Sequence, residues 1–210
     1  MPLKLFGSRG SGSAAIEMAL RKARVEYEVV RASAWEPDSA MGELLKVNPL
    51  GQIPTLVLAD GTVLTESAAI LIELGLRHPE ARLLPEGAGG RGLAIRGLVF
   101  IAANCYSAVS IVDYPERWTT SKSDETRESV RSGARAALHR SWEIFADSIG
   151  AAGALSAEEP GALAFLTVVV SRWSGARKHL KEARPAFVEA LERLESHPAI
   201  APVLREHRAA

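Results

Sequence analysis

Two short stretches carry residue types suited to holding a small polar ligand: Gln52-Ile53-Pro54 and Thr65-Glu66-Ser67. The second precedes Ala68, Ala69, Ile70, Leu71, Ile72 and Leu74, helix formers and core residues, with Thr65 where an N-cap belongs. The amides of Glu66 and Ser67 are then expected in a helix's first turn, where unpaired N–H groups and the positive end of the dipole suit a carboxylate. The Glu66 carboxylate beside them suits an ammonium, so the turn fits a zwitterionic amino-acid head group. In the first stretch Pro54 stands where a strand starts and cannot donate to the ladder, which makes it a candidate cis turn. A cis bond there leaves the N–H and C=O of Ile53 open to an extended ligand. An ordinary helix cap and an ordinary turn would explain either stretch alone; their order and spacing argue for a site.

The elements that must position these residues are readable around them. Thr55–Leu58 and Thr62–Leu64 are apolar, β-branched runs joined by Ala59-Asp60-Gly61, a strong antiparallel-hairpin signal. Leu3–Phe6 reads as a first strand, followed by the loop Gly7-Ser8-Arg9-Gly10-Ser11-Gly12-Ser13, whose small residues invite a close approach to the backbone. Ala15, Ile16, Ala19, Leu20 and Ala23 mark one helical face, opened by Ser11 or Ser13, and Tyr27–Val30 is a second strand parallel to the first. A short helix is expected near Met41–Lys46. The order β-α-β, connection, β-β-α fits a small thioredoxin-like sheet covered by helices.

From His78 to Gly92 prolines and glycines interrupt any hydrophobic period, which reads as a linker. Beyond it the pattern is helical: Leu93–Val112 as one long apolar helix ended near Tyr114-Pro115, a second from Ser123-Asp124-Glu125 to about Ile149, and a third over Gly161–Gly175. A fourth starts at Pro185 and a short terminal one follows Pro198. The expected division is residues 1–80 as an α/β domain, 81–91 as linker and 92–210 as an all-α domain.

With 25 basic and 25 acidic residues the chain has no electrostatic footprint for nucleic acid or an anionic membrane. Cys105 is the single cysteine, which excludes an intrachain disulfide, a Cys-x-x-Cys pair or a cysteine metal cluster and fits a cytoplasmic protein. No signal-peptide core opens the chain and no apolar run is read as approaching membrane-spanning length. The five histidines, His78, His139, His179, His197 and His207, lack metal-ligand spacing. Most are expected to be exposed, and no metal is expected.

The stretch Asn48-Pro49-Leu50-Gly51-Gln52-Ile53-Pro54, then the hairpin, then Glu66-Ser67-Ala68-Ala69-Ile70, resembles the glutathione transferase family, and the α/β-then-helical order extends that resemblance over the whole chain. It implies glutathione as co-substrate, with its cysteinyl backbone on Ile53, its γ-glutamyl end on Glu66 and Ser67, Pro54 shaping the turn and Gln52 as a further contact. It also implies a small hydrophobic electrophile as second substrate, held near Asn104, Tyr106, Ser107, Tyr114 and Trp118, and a homodimeric assembly.

A glutathione thiol, with a pKa of ~8.5, must be pushed toward thiolate at neutral pH. Here this chain departs from the family: the tyrosine position is Gly7, the beta-class cysteine position falls on Gly12, and the beta-class His-Lys pair becomes Tyr106-Ser107. Hydroxyl candidates are Ser8, Ser11 and Ser13, with Ser11 placed first, and the Tyr106 phenol; each serine can equally be a helix cap, and Tyr106 a core aromatic. Glu159-Pro160-Gly161-Ala162-Leu163 replaces the family's capping box in the third helix of the second domain, a loss of about 1 kcal/mol in cap stability. The expected activity is thiolate attack on an electrophile. The alternatives are a non-catalytic glutathione-binding or interaction module and, against the absence of any loop cysteine, a thiol-disulfide oxidoreductase.

Overall fold

The computed structural model describes residues 2–36 and 38–208. Four strands form one mixed sheet in the order β2-β1-β3-β4. β1 (Leu3–Gly7) runs parallel to β2 (Tyr27–Arg31) and antiparallel to β3 (Thr55–Val57), which pairs antiparallel with β4 (Val63–Leu64). Between β3 and β4 the expected hairpin turns at Gly61, whose φ is 87° and whose N–H reaches Leu58 O at 3.0 Å. Alternation along β1 sends Leu5 to a large core with Leu56 and Phe6 to a smaller one with Ala32 and Leu44.

Helix α1 (Ser13–Lys22) covers the sheet and packs on α3 (Ser67–Arg77); α2 (Met41–Val47) lies in the β2–β3 connection. The cap residue of α1 is Gly12, one position from either expected serine, and that of α3 is Glu66 rather than Thr65. Glu66 displaces Thr65 because its φ is 62°, a left-handed conformation that breaks the helix one residue later than the sequence suggests.

The segment read as a linker is ordered into the fold. Ala81, Leu83 and Leu84 are buried in the main core, and α4 (Ala88–Phe100) begins inside the glycine-rich run. A π-helical segment, Ile101–Tyr106, joins α4 to α5 (Ser107–Asp113). The resulting continuous 26-residue helix, Ala88–Asp113, is long and apolar enough to cross a membrane by length and composition alone, contrary to the reading of the sequence. It packs on α6 (Asp124–Phe145) and α7 (Ala162–Val170) instead. α8 (Ala176–Ala183), α9 (Pro185–Glu195) and α10 (Ala201–Arg208) follow among the described residues. α7 ends at Val170, short of the expected Gly175, and α8, which the sequence did not announce, begins just past it; Ser174 and Gly175, with φ of 51° and 82°, separate the two.

All nine residues of α7 are buried, and it packs against α1, α3, α4 and α9. One hydrophobic core therefore runs from Leu5, Ile16 and Ile70 to Leu98, Trp142 and Phe165. This α/β-plus-helical arrangement is a thioredoxin-like sheet followed by a helical bundle, as expected. α7 starts without a side-chain cap, but the Ala162 N–H donates to Leu83 O at 2.8 Å, which offsets the missing capping box.

That contact requires Gly161, since a Cβ there would lie 2.6 Å from Leu83 O. Gly161→Ala is expected to lower stability by about 1–3 kcal/mol in urea unfolding, through forced displacement of the Leu83 segment. An unchanged midpoint would show that this segment moves freely.

Candidate functional site

The loop between β1 and α1 is closed by its own serines. The Ser11 hydroxyl donates to Ser8 O at 2.7 Å and accepts from the Ser8 and Ser13 N–H groups at 3.3 and 3.2 Å. Ser13 Oγ lies 3.0 Å from Ser11 Oγ and donates to Ser8 O at 3.3 Å. Ser8 Oγ donates to Glu36 Oε1 at 2.6 Å. All three serines are buried. Their hydroxyls shape the turn and are directed into it, so the geometry does not present Ser11 or Ser13 to a ligand.

The Ile53–Pro54 peptide bond is cis. The approach to it is held by buried Asn48, whose amide donates to Gln52 O and Thr55 Oγ1, both at 3.0 Å, and accepts from the Leu50 N–H at 3.1 Å. Thr55 Oγ1 also donates to Gln52 O, at 2.8 Å. Among the described residues no hydrogen bond engages the Ile53 N–H or C=O, and the Gln52 side chain is exposed. Asn48 and Thr55 are positioning residues that sequence reasoning missed; the only signal was their place beside Pro49 and Pro54.

Glu66 is exposed and Ser67, the first residue of α3, is buried. Glu66 O accepts the first helical bond, from Ile70 N at 3.0 Å, while the N–H groups of Glu66 and Ser67 have no partner among the described residues. A carboxylate beside free helix N–H groups suits a zwitterion, as the spacing suggested.

Facing these elements is Tyr106, at the end of the π-helical segment. A Cβ on Gly12 would lie 2.6 Å from its hydroxyl oxygen, 3.3 Å from Cε2 and 3.4 Å from Pro54 Cδ. The phenol thus stands where a residue-12 side chain would otherwise be, backed by Trp173 edge-on with ring centroids 5.2 Å apart. Burial, reinforced by the Glu66 carboxylate, pushes the phenol up to about 12. It therefore remains a proton-bearing donor at neutral pH. Cys105, fully buried, is also pushed up to about 12 by burial and is no nucleophile.

The other candidates do not converge on this point. Asn104 and Ser107 are exposed, and each donates back to its own helix, to Phe100 O at 3.1 Å and Ala103 O at 2.5 Å. Tyr114 lies about 12 Å further along the helix, with the Arg117 guanidinium 4.0 Å over its ring, and Trp118 is 57% exposed.

The histidines are not mainly exposed: all five are half-buried, and those with partners distant in sequence are His139, His179 and His207. His139 and His179 stack with centroids 4.3 Å apart, and His179 Nε2 lies 2.7 Å from Glu143. His207 contacts the serine loop and Glu17. Among the described residues no group of three or more His, Cys, Asp or Glu side chains is arranged to hold a metal ion.

A thioredoxin-like sheet thus carries a cis-proline turn and the open start of α3, and Tyr106 of the helical bundle stands against the loop beside them. Residues 1–72 match the family described as "Glutathione S-transferase, N-terminal domain". The chain is 37% identical over 129 residues to the uncharacterized GST-like protein YncG of Escherichia coli K12, covering 61% of this chain and 62% of that relative. It is 25% identical to glutathione S-transferase GstA of Escherichia coli O157:H7, covering 94% of this chain and 95% of the relative. A sphingomonad glutathione S-transferase solved in complex with glutathione superposes with a TM-score of 0.72 and 25% identity, over 99% of this chain and 100% of the other. Residues 1–72 thus match the N-terminal domain of glutathione S-transferases, and the chain as a whole is similar to proteins of that family in sequence and fold.

The ordinary phenol value is 10, against about 12 for Tyr106 here. Over that interval the unfolded chain releases a proton that the folded chain keeps. The stabilisation is full below pH 10 and is lost as pH rises toward 12. Wild type should lose stability relative to Tyr106→Phe across this window in urea titrations; parallel curves would show that the phenol is freely solvated.

Proposed function

We propose that this protein binds reduced glutathione and promotes attack of its thiolate on a small electrophilic substrate. The observation that carries the reading is the Tyr106 phenol standing over Gly12 beside two sets of unengaged backbone groups, at Ile53 and at the start of α3. In this reading the γ-glutamyl carboxylate takes the free N–H groups of Glu66 and Ser67, its ammonium pairs with the Glu66 carboxylate, and the cysteinyl backbone bonds to Ile53. Pro54 forms the wall beneath, and Gln52 lies at the rim.

The sulfur of an extended glutathione then falls toward Gly12. Tyr106 donates its O–H to the sulfur, stabilising thiolate over thiol without giving up its own proton. The thiol proton leaves to solvent, the sulfur lone pair forms the bond to the electrophilic carbon, and a leaving group departs or a double bond accepts the charge. This assigns to the helical bundle the hydroxyl that the family otherwise supplies from the loop. Ser11 and Ser13 act through the shape of the turn, and Asn104, Ser107, Tyr114 and Trp118 border the route of the electrophile. A phenol held against the loop beside the unengaged groups of Ile53 and α3 favours this reading over a non-catalytic binding module.

A cytoplasmic homodimer is the assembly we infer, consistent with the exposed apolar side chains of Leu50, Leu76 and Val99.

Tyr106→Phe should lower kcat/KM about tenfold to hundredfold with a broad electrophile panel, the value of one hydrogen bond to a charged group, while the glutathione Kd stays within about twofold. Titration calorimetry of the Glu66→Ala, Ser67→Ala double variant should show the Kd for reduced glutathione raised more than about tenfold. Turnover unaffected by loss of the phenol would remove Tyr106 from the mechanism, and absence of glutathione binding by wild type would sink the functional reading.

A further inference from the structure

The loop bearing Gly12 is also held from the end of the chain. His207 Nδ1, in α10, accepts the backbone N–H of Gly10 at 3.1 Å, and its Nε2 lies 2.8 Å from Glu17 Oε1. An accepting imidazole nitrogen carries no proton, so this pair of bonds defines the neutral tautomer, with hydrogen on Nε2 donating to Glu17. The two side chains are only 9% and 8% exposed. Glu17, on α1, also accepts from the Tyr27 hydroxyl at 3.4 Å and stands 3.7 Å from the Arg21 guanidinium. Arg21 forks onto Glu206 at 2.8 and 2.5 Å, fastening α10 to α1 next to His207.

The two bonds of His207 do different work. The bond to Glu17 joins one helix to another. The bond to Gly10 joins α10 to the loop, at a residue whose φ of 74° favours glycine. Hydrogen bonds among Ser8, Ser11 and Ser13 give the loop its shape but not its place relative to the helical bundle that carries Tyr106. Gly10 is two residues from Gly12, where the phenol stands so close that no Cβ fits.

We propose that His207 is a positioning residue for the ligand cleft, its Nδ1 holding the Gly10 N–H and so setting the gap between the Gly12 backbone and the Tyr106 phenol. The assignment rests on the glutathione reading given above for its effect on binding, and on the hydrogen bonds alone for its effect on the loop. It ties the last turn of α10 to the β1–α1 loop, across both halves of the cleft.

Two substitutions separate the bonds. His207→Asn keeps an acceptor near the Nδ1 position and loses the donor to Glu17. His207→Gln keeps a donor near the Nε2 position and loses the acceptor for Gly10. Two measurements follow on each full-length variant: amide hydrogen exchange at Gly10 by NMR, and the Kd for reduced glutathione by calorimetry. The expected result is faster Gly10 exchange and a Kd raised about threefold to tenfold in His207→Gln, with both near wild type in His207→Asn. Equal changes in the two variants, or a change only in His207→Asn, would assign His207 to fastening α10 on Glu17 and overturn the proposal. A wild type that binds no glutathione overturns the functional reading instead. Gly10 exchange still decides the latch in that case: an unchanged rate in His207→Gln rejects it.

Discussion

Two side chains cannot occupy one place, and at position 12 this chain has yielded the place to a phenol from the other half of the molecule. With glycine there, the Tyr106 hydroxyl comes against the loop backbone; with any other residue, the two would collide at 2.6 Å. The rest of the cleft follows from that exclusion. The loop must be tight, so its serines spend their hydroxyls on each other, and the phenol must be rigid, so Trp173 backs it edge-on. The proton stays on the phenol because a charged oxygen in so enclosed a space would lose its hydration.

Keeping such a gap requires that the sheet and the bundle not slide past one another. A continuous core, with the wholly buried α7 against α1, α3 and α4, makes the two halves one packed body. Protein interiors pack densely enough that a shift of tenths of an ångström at one end is resisted throughout. Polar ties at the periphery, such as Lys22 Nζ to Pro160 O at 2.9 Å and Arg21 to Glu206, add direction to that packing.

Much of this was legible in the chain because it is written locally. The Asp60-Gly61 turn, the proline at the mouth of β3, the alternation of β1 and the Ser123 cap each rest on neighbouring residues, and the fold class followed from their order. What escaped depends on contacts between distant residues. The serines could be seen to have hydroxyls, but not that those hydroxyls were already engaged. Glu66 was read into a helix whose cap it forms, because its left-handed backbone is imposed by the surroundings. α8 buries only Ala176 and Leu180, too few apolar positions to announce a helix. His207 looked like an exposed surface residue because its partner lies 197 positions away.

The π-helical segment that ends at Tyr106 bears on how such a protein diverges. A residue removed from a wide turn restores α-helical winding, and each residue of an α-helix advances about 100° around the axis. A single-codon deletion within Ile101–Tyr106 would therefore re-phase the residues inside this segment against the loop while α4 and α5 keep their faces. The group that stands against the Gly12 loop would then change by a shift of phase rather than by replacement of a side chain. Lineages carrying this fold could exchange the side chains that line this cleft through length variation in a helix, where aligned columns of residues would show only a gap.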